Sequence, residues 1–240
     1  MKVFILAHQD DEIFALPYIL NSDKKLFIYL TNGVSVKADK RELRLRSFEA
    51  KEVFEKHLVR LNSEVIWWGL EHSIPEGQLY KFVNEESILR IAKVIGEQDL
   101  KSLQLVTTTF EGAHQDHDAS AVISRELGKF LRVEVIEVST YPQWFSKFYS
   151  FKVMKPQQLD KSIEFSRSKV LLLTLKLIKG YRTQRLTWLG LATATVTAYA
   201  FRTYHSAKPM PVSHMNRCFY ETRGRSQQRD VLKHLSPPIF

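Results

Sequence analysis

The first 140 residues alternate short apolar runs with longer amphipathic stretches, and this alternation narrows the choice of fold more than any other feature of the chain. The runs Val3–Ala7, Leu26–Thr31, Glu64–Trp68, Leu103–Thr108 and Val133–Val138 have strand length and hold no Gly or Pro. Between them, Asp11–Leu20, Ala38–His57, Glu85–Gln98 and His117–Leu131 read as helices. Strand and helix in strict succession predict βαβ units and a mostly parallel sheet. Runs that are apolar at every position, such as Val3 to Leu6, predict strands covered on both faces. The expected fold class is therefore α/β: a Rossmann-like, mostly parallel sheet between helix layers.

Beyond Pro142 the alternation stops. A helix is predicted over residues 157–179, leading into Gly-Tyr-Arg-Thr-Gln at 180–184, and a strand near Cys218–Thr222. A length of 240 residues with 44% hydrophobic content suits one domain. We read residues 1–140 as its βα core and residues 141–240 as an irregular basic extension that walls the site. Two stretches, 170–178 and 186–201, look membrane-like. Lys176 interrupts the first, and the second holds four threonines and falls short of the roughly 20 residues a span requires. Both are expected to be buried helices or strands. The opening apolar run ends at His8, too early for a secretory signal core, so a cytoplasmic location is expected.

The net charge of +9 is unevenly placed: residues 151–240 hold 16 Lys and Arg against 4 Asp and Glu, which leaves the first 150 residues slightly negative. Such asymmetry predicts an anionic partner, either a phosphate-bearing substrate or an anionic membrane surface touched peripherally. No aromatic-basic motif or zinc-knuckle spacing suggests nucleic acid. Oligomeric state is not written in the pattern.

Two polar clusters follow predicted strands. Ala7-His8-Gln9-Asp10-Asp11-Glu12 leaves the first strand, and Glu111-Gly112-Ala113-His114-Gln115-Asp116-His117-Asp118 follows the fourth. Ligands of parallel sheets bind beyond the carboxyl ends of strands. Alone, an acidic run at a helix start merely caps the helix; two clusters with the same placement suggest one site. Cys218 is the only cysteine, so a metal would be held by His, Asp or Glu. His8, Asp11 and His117 make a two-His, one-carboxylate set suited to zinc, with Fe²⁺, Co²⁺ or Mn²⁺ as alternatives, and leave Asp10, His114 and Asp116 for other roles. His57, His72, His205, His214 and His234 lack ligand-like partners at helical spacing and are left out.

These residues resemble the PIG-L/LmbE-like N-acetylglucosaminyl deacetylases, whose motifs are Ala-His-Pro-Asp-Asp-Glu and His-Pro-Asp-His. Here Gln9 and Gln115 replace the two prolines, which should leave both loops less rigid. Thr31-Asn32-Gly33, Arg46 with Glu49, and Tyr181-Arg182-Thr183-Gln184 resemble further family features. The resemblance implies that His8, Asp11 and His117 bind zinc and that Asp10 is the general base. It implies that His114 stabilises the oxyanion, in its cationic form, and that Asp116 holds the His114 ring. Arg46 is the candidate substrate contact. Trp67 and Trp68 suit either a sugar-stacking wall or the core. The expected activity is zinc-dependent removal of acetate from an N-acetylglucosamine-type conjugate, small or lipid-linked and anionic. The alternatives are a metal-dependent amidase on a thiol-sugar conjugate and a non-catalytic carbohydrate-binding module.

Overall fold

The computed structural model describes residues 1–98, 102–140, 153–156, 158–209, 231 and 235. Five parallel strands form the centre: β1 (Lys2–Leu6), β2 (Lys25–Tyr29), β3 (Ser63–Ile66), β4 (Gln104–Thr108) and β5 (Glu134–Val138). Two antiparallel strands, β7 (Tyr204–Ala207) and β6 (Leu159–Ile163), extend the sheet beyond β5. The order is β3-β2-β1-β4-β5-β7-β6, so the chain builds outward from β1 on one side and then returns to its other side with β4. That reversal opens a crevice at the carboxyl ends of β1 and β4, where open α/β sheets bind ligands.

Alternation along β1 assigns the two layers. Phe4 and Leu6 pack against α1 (Leu16–Leu20), α2 (Lys40–Val53), α6 (Arg167–Gly180) and α7 (Arg185–Phe201). Val3 and Ile5 face α4 (Glu85–Gly96) and α5 (Gln115–Leu131) on the other side. With every residue from Val3 to Leu6 fully buried, each side chain gains about 1.5–3 kcal/mol from leaving water, so a polar substitution on either face should be costly. Val231 and Leu235 join the second layer.

Two differences from the sequence-based expectation have physical reasons. Residues 159–163 form the edge strand β6 rather than the start of a helix. Its first four residues are exposed and it pairs only with β7, so it needs no apolar face, while the buried helical stripe begins at Val170. Trp68 opens a short helix, α3 (Trp68–Glu71), instead of ending β3. Gly69 permits that turn, because a Cβ there would lie 2.1–2.4 Å from the backbone of Thr31. Residues 186–201 are helix α7, and no described helix is long and apolar enough to cross a membrane. The strand expected at 218–222 lies outside the described residues.

Candidate metal centre

The first cluster leaves β1 through a tight turn. His8 N–H donates to Asp11 Oδ2 at 2.8 Å, and residues Asp11–Ala15 form a 3-10 turn before α1. The second cluster opens α5, whose N-cap is His114. That capping places Asp116 and His117 in the first helical turn, directly above the end of β4. Because β1 and β4 are neighbours, the two clusters meet.

Asp11 lies between two imidazoles, 3.0 Å from His117 Nε2 and 3.3 Å from His8 Nδ1. The two contacts use different carboxylate oxygens, and the three side chains together offer the N and O donors that zinc takes. The surrounding hydrogen bonds orient the donors. The Thr140 hydroxyl donates to Glu111 Oε2 at 3.0 Å, so its contact with His117 Nδ1 at 3.3 Å has the ring as donor. His117 then presents its Nε2 lone pair to a carboxylate oxygen, an arrangement that calls for a cation between them. Burial disfavours the His8 imidazolium, yet Asp11 and Asp116 together hold its pKa well above the ordinary histidine value. Carboxylates thus dominate the field at this imidazole, and the donor set fits a divalent ion.

A second trio, His8, His114 and His117, also places one donor atom each within 4.8 Å of the others. His114 is the weaker ligand of the two sets. Its Nδ1 accepts the Asp116 amide at 3.2 Å, so the neutral ring carries its proton on Nε2 and has no free lone pair there.

The structure corrects several expected roles. Burial, with His8 and His117 nearby, pushes the His114 pKa down to about 3, so this side chain is a neutral N–H donor, not a cation. Asp116 does not hold the His114 ring through its carboxylate. Its Oδ2 accepts from His8 Nε2 at 3.1 Å and from Gly77 N–H, and its Oδ1 accepts from Leu79 N–H at 3.0 Å, which ties the loop after α3 to the site. Arg46, the candidate substrate contact, turns inward. It is 2% exposed, with Nη2 3.2 Å from Asp10 Oδ1 and Nη1 3.5 Å from Glu49 Oε1. The two glutamines are not loose ends either: Gln9 donates to Thr31 O at 2.7 Å and Gln115 to Gly77 O, so each ties its loop to a neighbouring one. Trp68 is buried and Trp67 stacks on Tyr29 at 5.2 Å, both outside any sugar-facing wall. Of the five excluded histidines, His57, His72 and His205 join none of these contacts, and His214 and His234 lie outside the described residues.

Further side chains complete the site, and of these Trp188, Tyr29 and Glu76 belong to no motif. Trp188 donates its indole N–H to Asp10 Oδ2 at 3.0 Å, so both oxygens of Asp10 are held, one by α2 and one by α7. Glu49 accepts from the Thr183 amide and hydroxyl at 2.9 and 2.7 Å. Glu12, wholly buried, accepts from the phenols of Tyr29 and Tyr181. Glu76 approaches His114 Nε2 at 3.9 Å.

Glu111 provides a test of this outer layer. Burial raises its pKa to about 8, so the folded state holds a proton that the unfolded state releases near the ordinary value of 4.5. Stability from this group is full below about pH 4.5 and declines as pH rises toward 8, by up to about 1.4 kcal/mol per pH unit. Glu111→Gln should remove that slope, so the stability difference between variant and wild type should shift in the variant's favour between pH 5 and 8. Urea unfolding across that range measures it, and parallel pH profiles for the two proteins would contradict it.

Fold and site together define a layered α/β protein with a His/Asp metal-type centre at the switch point of its sheet. The family described as PIG-L, GlcNAc-PI de-N-acetylase, matches residues 3–127, just over half of the chain, and the chain belongs to this deacetylase family. No curated protein sequence matches it. Among solved structures, a triple mutant of a deacetylase of the teicoplanin biosynthetic pathway superposes with a TM-score of 0.61 at 14% identity, covering 85% of this chain and 94% of that one. The A40926 pseudoaglycone deacetylase Dbv21 also gives 0.61, at 13% identity with the same coverage. The zinc-inhibited form of a teicoplanin deacetylase gives 0.57 at 12% identity, covering 86% and 96%. These likenesses establish the shared fold.

Proposed function

We propose that the chain is a metal-dependent N-deacetylase that hydrolyses the acetamide of an N-acetylglucosamine-type conjugate to acetate and a free amine. The observation that carries this reading is the meeting of His8, Asp11 and His117 beside a doubly anchored Asp10. Zinc, or another divalent ion, held by His8, Asp11 and His117 would polarise the acetamide oxygen and acidify water. Asp10 takes the proton of the attacking water as its C–O bond forms, and its two anchors keep the carboxylate from turning away. The Nε2–H of His114 donates to the oxygen on which charge develops, in the manner of an oxyanion hole. Asp116 fixes His8 and the loop after α3. The proton held by Asp10 then serves the departing amine.

The family description supports an acetylated amino sugar, and the basic last third of the chain supports an anionic conjugate. Because one structural neighbour is described as zinc-inhibited, the ion is best tested by reconstitution with Zn²⁺, Co²⁺, Fe²⁺ and Mn²⁺ separately. Purified protein should hold about one ion per chain, and His117→Ala should lose it, since a tetrahedral site stripped of one ligand binds far less tightly. The loaded wild type should release acetate from an N-acetylglucosamine conjugate in step with free amine. A reconstituted wild type that binds no ion, or that releases amine without acetate, would rule the proposal out.

A further inference from the structure

The outer surface of α6 and the turn into α7 combines two features that seldom share a water-facing site. The buried stripe of α6 is Val170, Leu173, Thr174 and Leu177. On the opposite stripe Leu172 and Leu175 are each 55% exposed, beside the exposed Lys169, Lys176 and Lys179. After the turn, Leu186 stands 88% exposed next to Arg182 and Arg185. Leaving such side chains in water forfeits a large part of the 1.5–3 kcal/mol that burial of each would provide.

Helix α2 and its continuation pack against this region and complete a groove of about 510 Å³. Lys56, Lys176, Lys179, Arg182 and Arg185 line it, and Glu52 is the only acid among the lining residues. Arg182 reaches Glu52 at 4.0 Å, while Lys56, Lys176, Lys179 and Arg185 have no ionic partner among the described residues. His57, in the same groove, has its pKa lowered by burial and then by Lys56, Lys176 and Arg60, so the local field is positive.

We propose that this surface docks peripherally on an anionic lipid bilayer, with Leu172, Leu175 and Leu186 entering the headgroup boundary and a lipid phosphate seated in the groove. Basic residues interleaved with exposed leucines are what an interfacial element requires, since the charges draw it to an anionic leaflet and the leucines then leave water. A second copy of the chain fits poorly, because a two-fold contact would set the same unpaired cations face to face. A nucleic acid would use the cations and leave the leucines in water. Docking is independent of the reaction proposed above, so an Asp10→Asn variant should bind vesicles as the wild type does.

The test is co-sedimentation of the full chain with extruded vesicles, either pure phosphatidylcholine or with about 30% phosphatidylserine. The wild type should bind the anionic vesicles and not the neutral ones. Lys176→Glu/Lys179→Glu/Arg185→Glu should weaken binding at least about a hundredfold, at roughly fivefold for each cation lost and more for the carboxylates gained. Leu172→Ser/Leu175→Ser/Leu186→Ser keeps every charge and should weaken it at least about tenfold. All six positions lie on the outer surface, and circular dichroism will show whether both variants keep the fold. Several results would overturn the proposal: a wild type that binds neither vesicle or both equally, a leucine variant that binds as well as the wild type, or tighter binding to a soluble oligonucleotide than to anionic vesicles.

Discussion

Asp10→Asn is expected to lower turnover by about two to four orders of magnitude while leaving the metal content unchanged. The substitution keeps the size of the side chain and removes the base. It also disturbs the site, because both oxygens of Asp10 are acceptors: Oδ1 for Arg46 Nη2 and Oδ2 for Trp188 Nε1. Whichever way the asparagine amide turns, its NH₂ faces one of these donors, so one anchor is lost and the group no longer holds the attacking water. Asp10 is not among His8, Asp11 and His117, and the ion should stay. The discriminating experiment is kcat at saturating substrate together with metal stoichiometry on the same preparation. Turnover within threefold of the wild type would remove Asp10 from the reaction.

Arg46→Met should cost about 3–5 kcal/mol of folding stability, the usual penalty for removing one partner from a buried ion pair. The guanidinium is nearly inaccessible, lies 5.2 Å from the centre of the Tyr181 ring, and faces both Asp10 and Glu49. Methionine fills much of the volume but leaves two carboxylates without their cation, although Thr183 still serves Glu49 and Trp188 still serves Asp10. Adding Glu49→Gln should recover part of the loss, since one of the stranded charges is then gone. Urea unfolding of wild type, single and double variants resolves the question. A loss below about 1 kcal/mol, accompanied by a raised KM, would make Arg46 chiefly a substrate contact.

The contrast between Arg46 and Asp11 shows what the sequence could convey. Asp11 belongs to a polar cluster at a strand end, a placement that the second cluster repeats, and it lies beside the two histidines expected to share its role. Strands β1 and β2 were legible because burial on both faces demands nearly unbroken apolar runs, while β3, β4 and β5, which carry Glu and Thr, were legible from their length and their alternation with helices. Arg46 sits on a helix among Arg41, Glu42, Arg44 and Glu49, and nothing local says that it turns inward with Glu49 while the others face water. Trp188 is harder still: its indole meets Asp10 across 178 positions, within an apolar stretch that reads as core. The strand β6 escaped notice because an exposed edge strand needs no alternation. The tautomers of His114 and His117 depend on an amide and a threonine hydroxyl, which only the folded arrangement supplies.

The path by which Asp10 is anchored has a consequence for the order in which the chain matures. His8, Asp11 and His117 all lie within the first 117 residues, and β1, β4 and the first turn of α5 suffice to bring them together. Trp188, Thr183 and Tyr181, which tie down Asp10, Glu49 and Glu12, are synthesised much later and pair with groups translated some 134 to 178 positions earlier. A nascent chain of about 140 residues would thus own its metal ligands but not the second anchor of its base. Competence for hydrolysis would arrive only when α7 closes over the sheet, long after the ion could first be bound.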